Sequence, residues 1–210
     1  MKIEKIYPRG FASNTYIVTS DGKNALVVDP AQPRIKEELF RRGLNPAYVL
    51  LTHCHFDHIG GVSVLKETGA KILCSLPESK LIGTEADLCC FFGAASPTFK
   101  ADDVFSDGET KNLCGISVKA MFTPGHTSGS VCYLMSEIDK KDGGRALFTG
   151  DTLFCGNIGR TDFPTGDMAE LRASLKKLSS LKGDVPVYAG HEEDTTLETE
   201  RKTNPYMQDL

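Results

Sequence analysis

In the stretch Tyr48-Val49-Leu50-Leu51-Thr52-His53-Cys54-His55-Phe56-Asp57-His58-Ile59-Gly60-Gly61, an apolar run ends and three histidines and one aspartate come within the next six residues. The apolar run reads as a strand, and the histidine-rich segment after it reads as an extended loop leading into a helix near Gly60-Gly61. Imidazole and carboxylate are the ordinary ligands of zinc, iron and manganese. Side chains two apart in an extended loop point the same way, so His53 and His55 can close on one ion while Asp57 and His58 lie farther along for a second. A merely polar surface loop fits poorly with a chain that has five histidines and puts three of them here.

Outward from this stretch, the chain alternates strand and helix signals. Upstream, Lys2–Tyr7, Asn14–Thr19 and Ala25–Val28 read as strands, and Ser20-Asp21-Gly22 makes the last connection a hairpin. Asp29-Pro30 ends the third strand. Pro33 can open a helix with Ile35, Leu39 and Phe40 as its apolar stripe, Arg41 and Arg42 at its negative end and Gly43 as its stop. Downstream, a helix over about 61–68 precedes the strand Lys71–Cys74. Residues 77–105 are irregular, with a short helix at Pro77–Leu81 and an apolar island, Cys89-Cys90-Phe91-Phe92-Gly93. Phe91 and Phe92 either form a substrate wall beside the histidines or tuck into the core.

Strands at about 115–122 and 130–136 come next, then a charged turn from Glu137 to Gly144 and the strand Arg145–Thr149. Asp167 and Glu170 form a capping box for a helix whose face carries Met168, Leu171, Leu175 and Leu178. The strand Val185–Ala189 comes last. Strands followed by a helix in each half suggest two packed sheets with helices outside.

The chain has 210 residues, 40% hydrophobic and 25% charged, which points to a single globular domain over 1–210. A net charge of −4 gives no reason to expect nucleic acid or an anionic membrane as partner. No apolar run approaches the ~20 residues that span a bilayer, and the N-terminus lacks a signal-peptide core, so a cytoplasmic location is expected. Seven cysteines, scattered without a C-x-x-C pair, read as small buried hydrophobes of a reducing compartment. Cys54 and Cys155 lie beside candidate ligands, where a thiol can support a ligand or be sensitive to oxidation, but filler is the better reading for both. Composition leaves the oligomeric state open.

Four segments share one grammar: a strand ends, Gly or Thr comes next, and a metal-type ligand appears. They are Leu51-Thr52-His53, Thr123-Pro124-Gly125-His126, Phe148-Thr149-Gly150-Asp151 and Tyr188-Ala189-Gly190-His191. Glycine beside a ligand permits tight turns and close backbone approach. His53-x-His55-x-Asp57-His58, then His126, Asp151 and His191, with Asp29 first, resemble the five motifs of the metallo-β-lactamase superfamily in order and context. Thr149–Phe154, Gly159-Arg160-Thr161-Asp162-Phe163-Pro164 and the ending through Asn204-Pro205-Tyr206 are similar to its short bacterial glyoxalase II-like branch.

The resemblance implies an α/β, four-layer αββα sandwich with a metal site at one edge. It implies two divalent ions, zinc first, with iron or manganese as alternatives. His53, His55 and His126 would hold one ion and Asp57, His58 and His191 the other, with Asp151 bridging and Asp29 structural. Arg160 falls near a basic position that receives a substrate carboxylate in the family, though an ordinary surface salt bridge is also open. Larger glyoxalase II enzymes add a C-terminal helical domain for glutathione, which is expected to be lacking here, about 20 residues after His191.

Two ions sharing a water lower its pKa to near ~7, giving a hydroxide for attack on a small-molecule thioester, with Asp57 orienting it and taking its proton. The expected activity is therefore thioester hydrolysis of the hydroxyacylglutathione type. One rival is a persulfide dioxygenase with a single iron on His53, His126 and Asp151. The other is a non-catalytic metal-binding or redox-interaction protein.

Overall fold

The computed structural model describes residues 1–138, 144–208 and 210; most of the charged turn expected over 137–144 lies outside them. The first sheet runs in chain order: β1 (Lys2–Ile6), β2 (Thr15–Thr19), β3 (Asn24–Val28), β4 (Asn45–Leu50), β5 (Lys71–Ser75) and β6 (Asp103–Phe105). β1 to β3 form an antiparallel meander, and β3 to β6 are parallel. Helices α1 (Ile35–Arg41), α2 (Phe56–Ile59), α3 (Val62–Lys66) and α4 (Cys89–Phe92) lie in its connections.

The second half supplies β7 (Thr110–Leu113), β8 (Ile116–Phe122), β9 (Val131–Glu137) and β10 (Ala146–Gly150). A small ribbon of β11 (Leu153–Phe154) and β12 (Asn157–Ile158) comes after them, then α5 (Met168–Ser179), β13 (Pro186–Ala189), β14 (Thr195–Thr196), α6 (Leu197–Thr203) and α7 (Pro205–Gln208). The second sheet has the order β14-β13-β10-β9-β8-β7.

Period-2 alternation explains how the sheets stack. In β3, Leu26 and Val28 face the other sheet, while Ala25 and Val27 face α1 and α3. In β9, Val131, Tyr133 and Met135 point inward, and Cys132 points toward Leu171, Leu175 and Leu178 of α5. The result is a four-layer αββα sandwich with one apolar core between the sheets and one under each helical layer.

The departures from expectation are local. Asp57 and His58 belong to the helical turn α2 rather than an extended loop, and the expected helix over 61–68 is the shorter α3, set off from α2 by Gly60-Gly61. A Cβ at Gly61 would lie 2.6 Å from the Gln32 carbonyl oxygen, so that close approach requires glycine. Phe40 is 85% exposed; Ile35 and Leu39 alone bury the α1 stripe. Met168 is likewise exposed, while Asp167 caps α5 by accepting from the Glu170 amide at 2.9 Å. β6 and β7 escape a sequence reading because three- and four-residue strands with charged alternate positions are held by register with distant partners.

Candidate metal centre

Chain direction gathers the ligand segments. β3 and β4 are parallel, as are β10 and β13, so within each sheet the carboxyl ends of neighbours open at the same edge. Past those ends come Asp29, His53, Asp151 and His191, and the β8–β9 connection adds His126. His55, in extended conformation (φ −58°, ψ 146°), starts α2, whose turn carries Asp57 and His58. Gly150 takes φ +49°, where a Cβ would lie 2.2 Å from Thr52 Oγ1. Two strand ends meet there without room for a side chain.

All seven expected ligand residues converge. Ligand atoms of His53, His55 and His126 lie within 4.8 Å of one another, as do those of Asp57, His58 and His191, and those of His53, His58 and Asp151. His126 Nε2 is 2.9 Å from His55 Nδ1 and 3.6 Å from Asp151 Oδ2. Asp151 Oδ1 is 3.3 Å from His58 Nε2, and Asp151 Oδ2 is 3.5 Å from His191 Nε2. Asp57 Oδ2 lies 3.2 Å from His191 Nε2 and 3.8 Å from His58 Nε2. Asp151 thus touches imidazoles of both outer groups.

The surroundings aim these rings. Asp29, at φ +46°, accepts from the Thr52 amide (2.8 Å) and Thr52 Oγ1 (2.6 Å), and its Oδ2 lies 3.0 Å from His58 Nδ1. Its carboxylate therefore fixes both the start of the histidine loop and the tautomer of His58. His126 Nδ1 donates to the Arg160 carbonyl at 2.8 Å, which turns Nε2 toward the cluster.

Burial, with the neighbouring imidazoles, holds His53 well below the usual histidine range. Burial likewise lowers His55, to about 3, and lowers His126. These are the neutral imidazoles that metal ligation needs. Burial would depress His58 too, but Asp151 and Asp57 outweigh it and leave it raised. Burial would raise Asp151, yet His58, His126 and His191 hold it well below the usual carboxylate range.

Does this donor set fit metal ions? Among the described residues, buried side-chain polar atoms without a hydrogen-bond partner are Ser13 Oγ, His53 Nε2, His55 Nε2, His58 Nε2 and Asp151 Oδ1. All but the first belong to this cluster. Each such atom costs about 1–3 kcal/mol, so their concentration at one point marks a place built for a cation. Two ligands on one tetrahedral zinc sit about 3.4 Å apart, given bonds near 2.0–2.1 Å; the contacts of 2.9–3.8 Å bracket that spacing. The residues fit.

Gly190 offers a sharp check. A Cβ there would lie 2.2 Å from Asp151 Oδ1 and 2.8 Å from His58 Cε1. Gly190→Ala is expected to keep the wild-type circular dichroism but to weaken metal binding on the order of 10–100-fold, read by competition with a chromophoric chelator. Unchanged affinity would show that Asp151 and His58 are not held as ligands.

One residue of the site has no signal in the sequence. Glu78, fully buried, accepts from the Cys54 amide through Oε1 (2.7 Å) and from Thr127 Oγ1 through Oε2 (2.7 Å). Cys54 lies between His53 and His55, and Thr127 is next to His126, so a single carboxyl ties two ligand loops together. Nothing in Pro77-Glu78-Ser79 announces this, because both partners are far along the chain. Cys54 itself is buried, and burial lifts its thiol well above the ordinary range, whereas Cys155 is exposed.

A cleft of about 650 Å³ opens over the cluster, with His55, Asp57, His126, Asp151 and His191 at its floor. Phe92 lines it, on the wall rather than in the core, stacked on Phe56 at 4.5 Å. The expectation for Phe91 is corrected: it is 67% exposed and outside the lining. Successive residues of a one-turn helix point about 100° apart, so only one of the pair can face the cleft. Arg160 lines the mouth, where its guanidinium pairs with Asp162 at 2.5 and 2.6 Å and lies 3.9 Å over the Phe163 ring.

Comparison with known proteins agrees with this geometry. The curated hydroxyacylglutathione hydrolase GloC of Haemophilus influenzae is 36% identical over 214 residues, covering 99% of this chain and 98% of that one. The crystal structure of the BLEG-1 B3 metallo-beta-lactamase superposes with a TM-score of 0.87 at 30% identity, covering 98% of this chain and 99% of the other. The structure of TTHA1623 in a di-iron-bound form does so at 0.81 and 31% identity, covering 97% and 99%. The sequence pattern of the metallo-beta-lactamase superfamily spans residues 8–191, from ahead of Asp29 to His191. With that pattern laid over an αββα sandwich whose strand ends gather five histidines and two aspartates, this chain belongs to the metallo-beta-lactamase superfamily.

Proposed function

We propose that the protein is a dinuclear metallo-hydrolase that cleaves thioesters in the manner of a hydroxyacylglutathione hydrolase. The observation that carries the reading is the pairing of two ligand groups, His53/His55/His126 and Asp57/His58/His191, with Asp151 in contact with both. A single-iron dioxygenase would use His53, His126 and Asp151 and leave the second group idle. Similarity to GloC over nearly the whole chain supports the hydrolytic chemistry.

Bound ions would acidify water and polarise the carbonyl, the chemistry that zinc, iron or manganese supplies in such a site. The chain's residues do the rest. Burial would raise Asp57, but His58 and His191 outweigh it and keep the carboxylate lowered and ionised, able to accept a hydrogen bond from the attacking water and relay its proton. Asp29, through Thr52 and His58, and the Arg160 carbonyl, through His126, keep the imidazoles aimed. The apolar cleft wall excludes bulk water. Water adds its oxygen to the acyl carbon, the C–S bond breaks, and the thiolate leaves with the electron pair. Thiolate is a good leaving group, so no strong general acid is required.

The test is elemental analysis of protein purified without added metal, followed by parallel assays with S-lactoylglutathione, glutathione persulfide and a chromogenic β-lactam. More than one metal equivalent with thioester turnover and no oxygen uptake is the expected result. One iron per chain with oxygen consumed on the persulfide would replace the hydrolase with a dioxygenase. Bound metal with no turnover on any of them would mean a binding protein.

A further inference from the structure

The wall of the cleft is unlike its floor. From His55, an aromatic track runs outward: Phe163 lies edge-on to His55 at 6.0 Å, Phe92 edge-on to Phe163 at 6.2 Å, and Phe56 stacks on Phe92. Across the opening, Phe11 is 90% exposed, and Phe92 is 55% exposed. Large apolar rings left in water at the mouth of a catalytic cleft bring no folding stability, because the hydrophobic gain comes only when something covers them. The chain also holds Phe92 there deliberately: its one-turn helix is bracketed by Leu88 at φ +61° and Gly93 at φ +66°. A leucine in the left-handed region is strained.

Arg160 is the one Lys or Arg side chain among the residues lining the cleft, and its guanidinium is engaged by Asp162. The aromatic wall is therefore the part of the cleft left to select the acyl group.

We propose that the substrate is a thioester whose acyl group is arylalkyl or medium-chain alkyl, with Phe92 and Phe11 as the residues that set this preference. The inference rests on the hydrolytic reading above and deepens it. The overall reaction consumes one water and yields an apolar carboxylate, a thiol and a proton.

The experiment uses the zinc-loaded full chain and four substrates, the phenylacetyl and lactoyl thioesters of N-acetylcysteamine and of glutathione. In parallel, equilibrium binding is measured calorimetrically for the two N-acetylcysteamine ketone analogues, in which a methylene replaces sulfur and nothing can be cleaved. Phenylacetyl-N-acetylcysteamine is expected to show a kcat/KM about tenfold or more above its lactoyl counterpart, mostly through KM, and the ketones should show the same order in Kd. Phe92→Ala and Phe11→Ala should each compress that ratio several-fold; both rings are largely exposed, so neither truncation opens a hole in the core. Phe40→Ala, at an exposed ring on α1, should leave the ratio alone.

Preference for lactoylglutathione, or a ratio unmoved by Phe92→Ala, overturns the inference while leaving the hydrolase standing. Selective binding of the phenylacetyl ketone without turnover of any thioester does the reverse: the apolar ligand class stands and the hydrolytic reading falls.

Discussion

An Asp151→Ala protein is expected to fold normally, to retain fewer metal equivalents than the wild type, and to lose on the order of 10³-fold in kcat on its best thioester. The effect is large because Asp151 lies within 3.3–3.6 Å of His58, His126 and His191, and among the described residues it is the carboxylate in contact with both ligand groups, whereas Asp57 meets only His58 and His191. Removing it leaves imidazoles facing one another without their shared anion. The fold survives because the strand end is held by bonds that do not use the Asp151 side chain: the Thr152 amide donates to the Thr149 carbonyl, the Gly190 amide to the Gly150 carbonyl, and Thr149 Oγ1 to the Leu153 carbonyl. Asp151→Asn separates charge from shape, since it keeps the volume and one acceptor oxygen. It should recover part of the metal but not the rate. Metal analysis beside steady-state kinetics checks this; a fully metallated and active Asp151→Ala protein would remove Asp151 from the centre.

The second large effect is expected at Glu78, far from the histidines in sequence and with no contact to the cleft. Glu78→Ala orphans the buried Cys54 amide, takes one partner from Thr127, which keeps Ser130 Oγ at 2.8 Å, and opens a hole under Gly129, where a Cβ would lie 2.4 Å from Glu78 Oε2. The cost should be on the order of 3 kcal/mol in urea unfolding, with weaker metal binding because the loops bearing His55 and His126 are no longer tied together. Glu78→Gln can place its carbonyl on the Cys54 amide and its NH2 on Thr127 Oγ1, so it should restore most of both.

Burial lifts the Glu78 pKa above the ordinary value. A raised folded-state pKa gives stability that is full below the unfolded pKa and lost as pH rises through the folded one. As pH rises above the ordinary carboxylate range, the wild type should therefore lose stability relative to Glu78→Gln. Equal stability of wild type and Glu78→Ala would mean that the carboxyl ties nothing together.

Sequence and structure divide the information along a physical line. Local chemistry was legible. The apolar runs Ala25–Val28 and Val131–Met135 read as strands, Asp167 marked the start of α5, and ligand-type residues after Leu51, Gly125, Gly150 and Gly190 marked the centre. Those signals depend on neighbours within a few residues, which a linear sequence displays. Phe40 and Met168 misled because a helical stripe has a width, and only the packing partner sets its edge.

What the sequence by itself determined is the run of strands and helices and the ligand-type residues placed after the strand ends, because periodicity and side-chain chemistry are properties of short segments. The tertiary structure alone decided that Glu78 joins two ligand loops, that Phe92 faces the cleft while Phe91 does not, and that Arg160 is paired with Asp162 over an aromatic wall. Each of those depends on where a side chain comes to rest against partners the linear order does not specify, and contact of that kind exists only once the sheets have stacked.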